Sequence, residues 1–211
     1  MAIPFPKTVR TVDKFGVSLN GNQGAGPLLQ PKSVYRFRVL FLGFGRPENQ
    51  GEPLSLNTNN VSLPSLSHDV VEVHSYNSRA YWAGKHQWST FSLTVRDTVD
   101  NTVTREVGRQ MQRQLDHYNQ TGFMSATDYK FRCMIQHLTG GHDQALSNWT
   151  MEGCFLENVE YSALDYSTSD NATISLTIRP DNVIIEGEGS GGQNTIMTNP
   201  GQDPYNTTIN R

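Results

Sequence analysis

Residues 61–100, VSLPSLSHDVVEVHSYNSRAYWAGKHQWSTFSLTVRDTVD, decide the fold class. Within HDVVEVHSY, residues His68, Val70, Glu72, His74 and Tyr76 share one side of a strand, with Asp69, Val71, Val73 and Ser75 on the other. Neither side is strongly apolar, which predicts a sheet with one wet face. A turn is expected around Ala83-Gly84. After it, FSLTV sets Phe91, Leu93 and Val95 against Ser92, Thr94 and Arg96, the alternation of a half-buried strand. Asp97 and Asp100 then offer oxygens to the first free amides of a helix.

That helix is expected over about residues 101–118. Val103, Val107, Met111 and Leu115 repeat every four residues and form an apolar stripe that docks on a sheet. Arg105, Arg109 and Arg113 repeat at the same spacing, offset by two, and form a basic ridge on the opposite face. Such a ridge is either a solvated helix face or a docking surface for an acidic protein. The helix is expected to end near Asn119–Gly122, with Gly122 in the left-handed cap.

Working outward, VYRFRVLFL (34–42) reads as a strand with Tyr35, Phe37, Val39 and Phe41 on one face. GFGRPENQGEP (43–53) reads as a polar loop. Further strands are expected at 130–138, about 148–161 and 172–180, the last two joined through TSDN (168–171) as a hairpin. Three segments follow: an arm at 1–32 with Pro and Gly clusters, a mainly β domain at 33–185, and a flexible Gly/Asn/Thr-rich extension at 186–211.

Composition narrows the function. The chain has 211 residues, 36% hydrophobic content and a mean hydropathy of −0.53, so either part of it is unpacked or burial is completed by neighbouring chains. A net charge of −3 gives no general attraction to nucleic acid or anionic membrane. No apolar run of the roughly 20 residues a membrane helix needs is present. MAIPFPKTVR lacks the apolar region of a secretory signal, so synthesis in a cytoplasm is expected.

No catalytic motif emerges, and an enzyme is not expected. His68 and His74 lie about 20 Å apart along a strand at ~3.3 Å per residue, too far for one ion. His137, His142 and Asp143 flank a Gly-Gly turn and form a weak metal possibility. Cys133 alternates in step with Phe131 and Ile135, the pattern of a buried thiol, and nothing favours a disulfide with Cys154. No cofactor is expected.

The chain resembles the tail tube proteins of contractile-tailed bacteriophages. The resemblance rests on the order LP (63–64), strand, SRAYWAGKHQW (78–88), then FSLTVRD (91–97) leading into a helix. It rests also on the closing run EGCFLENVEYSALDYSTSDNATISLTI (152–178). Together these span roughly residues 33–185. The resemblance implies a β-sandwich-like or barrel-like subunit with one flanking helix. Hairpins of six subunits would complete a large barrel in a hexameric ring, and stacked rings would form a conduit for DNA ejection.

The implied partners are further copies of the chain, a sheath protein, baseplate and tail-terminator proteins, and the DNA and tape-measure protein that pass through. The implied location is a virion tail, assembled from protein made in the host cytoplasm. Arg105, Arg109 and Arg113 are the candidate sheath-facing residues, and alternate residues of 68–76 and 172–179 the candidate bore lining. A needle-like tube of type VI secretion shares the architecture. A carbohydrate-binding β-sandwich with exposed Trp82 and Trp88 is the reading from a different class.

Overall fold

The structure, a computed structural model, describes residues 32–45, 52–138 and 145–187. The chain divides into two compact units, Met1–Tyr35 and Arg36–Arg211. Of the first, only residues 32–35 are described, and Val34 and Tyr35 there are exposed. The remaining elements belong to the second unit.

In chain order these are β1 (Phe37–Leu42), α1 (Glu52–Asn57), β2 (Thr58–Val61), β3 (Leu66–Ser75), β4 (Ser78–Trp88), β5 (Phe91–Arg96) and α2 (Thr102–Gln114). Then come β6 (Leu115–Asp116), β7 (Thr121–Gly122), β8 (Phe131–Leu138), β9 (Ala145–Tyr161), β10 (Thr173–Arg179) and β11 (Asn182–Gly187). The fold is mainly β and antiparallel, as the sequence predicts. Strands run in the order β1-β8-β9-β10-β5-β2, with β11 also on β9.

The 17-residue strand β9 organises this sheet. Its first half pairs with β8 and β11, and its second half pairs with β10. The strand changes neighbours around Gly153, whose φ of +65° falls where glycine is favoured. A Cβ there would lie 2.3 Å from an Asp181 carboxylate oxygen, so no larger residue fits without movement. Alternate residues of both halves meet in one core: Val39, Phe41, Cys133, Ile135 and Met151 from one, Phe91, Leu93, Val95, Ile174, Leu176 and Ile178 from the other.

Phe44 completes the core from the turn after β1. Its ring sits 5.3 Å from that of Phe41 and 4.9 Å, edge-on, from that of Phe131. The flanking glycines carry φ of +80° and +69°, and a Cβ on Gly45 would lie 2.6 Å from a Glu106 oxygen. GFG is therefore a tight turn that drives one ring inward. The stretch expected to be loop also contains α1, anchored by buried Leu54. At its C-terminal end Asn57 and Thr58 donate to the Pro53 and Leu54 carbonyls.

Several expectations are corrected. The reversal expected at Ala83-Gly84 occurs at Tyr76-Asn77, between β3 and β4. Tyr76 takes a φ of +49°, and Gly84 lies inside β4 opposite a bulge near Asp69. Helix α2 stops at Gln114 rather than near residue 118, because the chain turns extended at Leu115 and enters the short β6–β7 ladder. Gln120, not Gly122, takes the left-handed conformation. Asp100 contributes to the helix start as expected, accepting from the Thr102 amide and hydroxyl, which holds its carboxyl near a pKa of about 2. Asp97 accepts from the Thr98 amide and the Thr104 hydroxyl.

The two cysteines are buried free thiols. Burial pushes Cys154 up to about 12 and Cys133 well above its usual value, so neither is a reactive thiolate.

Candidate functional site: an unpartnered hairpin and a polar sheet face

Among the described strands, β3 and β4 pair only with each other. At 10 and 11 residues its strands reach roughly 30 Å at ~3.3 Å per residue. Every residue of β3 is exposed, and β4 is exposed except at Gly84 and at Trp88, which joins the core. A two-stranded ribbon with both faces in water is marginal alone. The sequence pattern of one wet face is thus met differently, with both faces wet in the single chain.

The two faces differ in chemistry. Cross-strand pairs Val71–Trp82 and Val73–Ala80 place apolar side chains on one, and Trp82 is 66% exposed. On the other, Glu72 pairs with Tyr81 and His74 with Arg79, while Glu72 holds an ion pair with Arg79 at 3.3 Å. His68 and His86 lie opposite each other near the root. Exposed valines, a Tyr and a Trp on an unpaired ribbon are the marks of a contact surface.

The second surface is the outer face of the β9-β10-β5-β2 sheet. Because Leu93, Val95, Leu176 and Ile178 point into the core, the intervening residues share the reverse side. Ser92, Thr94 and Arg96 of β5 stand beside Thr177, Ser175 and Thr173 of β10, followed by Asn158 and Glu160 of β9. Ser62 extends the row, its hydroxyl 3.1 Å from that of Ser92. Arg96 donates to Asn59 at 2.9 Å. Arg179 forms a bidentate pair with Glu157, which lowers the Glu157 carboxyl pKa. The surface is a carpet of hydroxyls and amides with its charges largely paired.

The three arginines of α2 are not equivalent. Arg105 is exposed. Arg109 is half-buried and ion-paired with Glu106. Arg113 turns inward and donates to the carbonyls of Gly43, at 2.7 Å, and Asp128. A spacing of four advances 400°, so the ridge drifts about 40° per step toward the docked flank. The buried stripe is correspondingly Val103, Glu106, Val107 and Gln110, while Met111 is only partly buried and Leu115 is exposed.

Sequence periodicity missed two glutamines that fasten this helix. Fully buried Gln110 accepts from the Gly45 amide at 2.9 Å and donates to the Tyr129 carbonyl at 2.7 Å. One turn on, Gln114 accepts from the Leu156 amide and donates to the Leu156 carbonyl, both at 2.9 Å. The one available signal was their i, i+4 spacing beside the apolar stripe.

Among the described residues no group of three or more His, Cys, Asp or Glu could hold a metal ion. His137 contacts Ser147, and His142 and Asp143 lie outside the described residues. No described helix is long and apolar enough to cross a membrane.

No protein-family model matches the sequence, and no curated protein matches it. Solved structures do match. A chain of the anti-feeding prophage baseplate superposes with a TM-score of 0.59 at 16% identity, over 76% of this chain and 98% of that one. A chain of the PVC sheath-tube complex, from an extracellular contractile injection system, gives 0.58 at 18%, over 76% and 95%. A chain of the anti-feeding prophage tube-terminating cap gives 0.60 at 16%, over 82% and 100%. The chain shares its fold with these components of contractile injection systems. At these identities the likeness is one of fold, and it spans nearly the whole of each matched chain.

Proposed function

We propose that the chain is a structural tube subunit of a contractile phage tail. Copies close into hexameric rings, and the rings stack into the inner conduit for DNA ejection. The observation that carries the reading is the β3–β4 hairpin: an apolar-faced ribbon that pairs with no other described strand is supplied with a partner by a neighbouring copy. The work is mechanical rather than enzymatic. The role places the protein in the virion tail after synthesis in the host cytoplasm.

The Ser/Thr/Asn face of the sheet lines the bore. Retention of a polyanion scales with the number of cations that contact its phosphates. A lining of Ser92, Thr94, Ser175, Thr177 and Asn158 offers hydroxyls and amides instead, so DNA and tape-measure protein pass without sticking. Helix α2 lies on the core side of the sheet, opposite that lining, and its exposed Arg105 with Arg109 forms the sheath contact. Arg113 serves internally. Tube ends meet baseplate and terminator proteins.

Sedimentation of the purified chain over rising concentration tests the reading: ring-sized and larger species are expected, and a monomer at every concentration would contradict it. Charge reversal by Arg105→Glu with Arg109→Glu should block sheath assembly on preformed tubes while leaving the tubes intact. Normal sheath assembly would remove the role of these arginines.

A further inference from the structure

Near its root the β3–β4 ribbon carries two imidazoles opposite each other. His68 and His86 are direct cross-strand partners, with ring centroids 6.3 Å apart and planes inclined at 54°. His68 is too far along its strand from His74 to share an ion with it, but its neighbour across the ladder is close enough. β3 alternates regularly, and the extra residue of the bulge lies on β4, where Gly84 and Lys85 oppose Asp69. The rows on either side of the histidine pair, on the same face, are therefore Leu66–Trp88 and Val70–Ala83. Asp69 stands on the reverse face, beside Gly84.

We infer that His68 and His86 form a two-ligand site for a borderline divalent transition-metal ion, with Zn2+ the simplest case. The distances suit it. A metal ~2.1 Å from a ring nitrogen lies about 3.2 Å from that ring's centroid, so two rings on one tetrahedral ion have centroids about 5.2 Å apart. From 6.3 Å, the pair closes by about 1 Å. Both side chains are exposed, and among the described residues neither imidazole is hydrogen-bonded or ion-paired, so rotation of the rings is unopposed. By contrast, His74 lies 3.8 Å from Glu72, and His137 contacts Ser147.

Chemistry agrees with geometry. Imidazole nitrogens suit Zn2+, Ni2+ and Cu2+, whereas Mg2+ and Ca2+ prefer oxygen donors, and the adjacent rows offer no carboxylate. Water fills the remaining positions, as in an open rather than a closed site. The ion bridges β3 to β4 where the ribbon leaves the core at buried Trp88. A two-stranded ribbon is marginal alone, so a link at its root holds the strands together.

Calorimetric titration of the full-length chain, free of any histidine tag, with ZnCl2 tests the site. Saturable binding of one ion per chain is expected. His68→Gln and His86→Gln should each weaken it at least about tenfold, since either change leaves a single ligand. His74→Gln, on the same face but outside the pair, should leave it unchanged. Amide exchange in the dilute native chain is a readout that needs no variant. At zinc roughly one hundred times its Kd, opening of β3–β4 should slow by up to about 100-fold, while the separate β6–β7 ladder exchanges as before.

Absence of saturable binding, or binding that both pair variants leave intact, would overturn the site. Binding lost on His137→Gln instead would place the ion elsewhere and overturn it equally. Zinc that binds through the pair without slowing exchange in the ribbon would overturn the link between the strands.

Discussion

The double variant Val71→Asp/Trp82→Ala should remain monomeric at concentrations where the unaltered chain assembles, and should fold as stably as its parent. Both positions lie on the apolar face of the β3–β4 hairpin and are exposed in the single chain. Substitutions at such positions change folding stability by within about 0.5 kcal/mol. In an assembled interface the same positions are buried. Truncating a central Trp costs about 2 kcal/mol or more, roughly a 30-fold loss of affinity, and an unpaired carboxylate desolvated beside it adds further cost. The loss recurs at every contact in a ring, so assembly should be abolished. Analytical ultracentrifugation alongside a melting curve checks both halves. A variant that assembles normally would remove the hairpin from the account; one that unfolds would make it part of the fold.

The second large effect falls on the core. Phe44→Ala should destabilise the monomer by about 3–5 kcal/mol, measured by chemical denaturation, because the surrounding rings collapse only partly into the vacated space. Phe44 packs on Phe41 and Phe131 and is fully buried. A domain of this kind has about 5–15 kcal/mol of stability in all, so the loss is a large fraction of it. A cost below about 1 kcal/mol would show that the GFG turn does not plug the core. The contrast between the two variants is informative: one removes assembly and spares the fold, the other strains the fold itself.

Where side chains alternate cleanly between core and water, the sequence was readable. FSLTV and ATISLTI declare their buried faces, and both faces lie as their period demands. Cys133 between Phe131 and Ile135 was legible for the same reason. The hairpin was legible as strand but not in its reversal. Gly84 looked like a turn, yet its small size serves a close approach to Asp69 and Val71 inside β4, while Tyr76-Asn77 makes the turn.

The arginine ridge shows a different limit. A four-residue repeat cannot stay on one face of a helix with 3.6 residues per turn, so Arg105 faces water and Arg113 is drawn to the carbonyls of Gly43 and Asp128. Gln110 and Gln114 were silent because hydrophobic periodicity does not score a buried amide, and their partners come from loops and strands far along the chain. Local pattern carries the sheet; long-range hydrogen bonds between elements do not show in it.

Both surfaces acquire meaning from assembly: a ribbon that pairs with no other described strand, and a sheet face of hydroxyls and amides turned away from the core. Electron microscopy of the purified full-length chain tests this most directly. The account predicts hollow particles with six-fold symmetry that stack into tubes, with the Ser92–Thr177 face toward the bore. Compact particles without a central channel, or a chain that stays monomeric at high concentration, would contradict it.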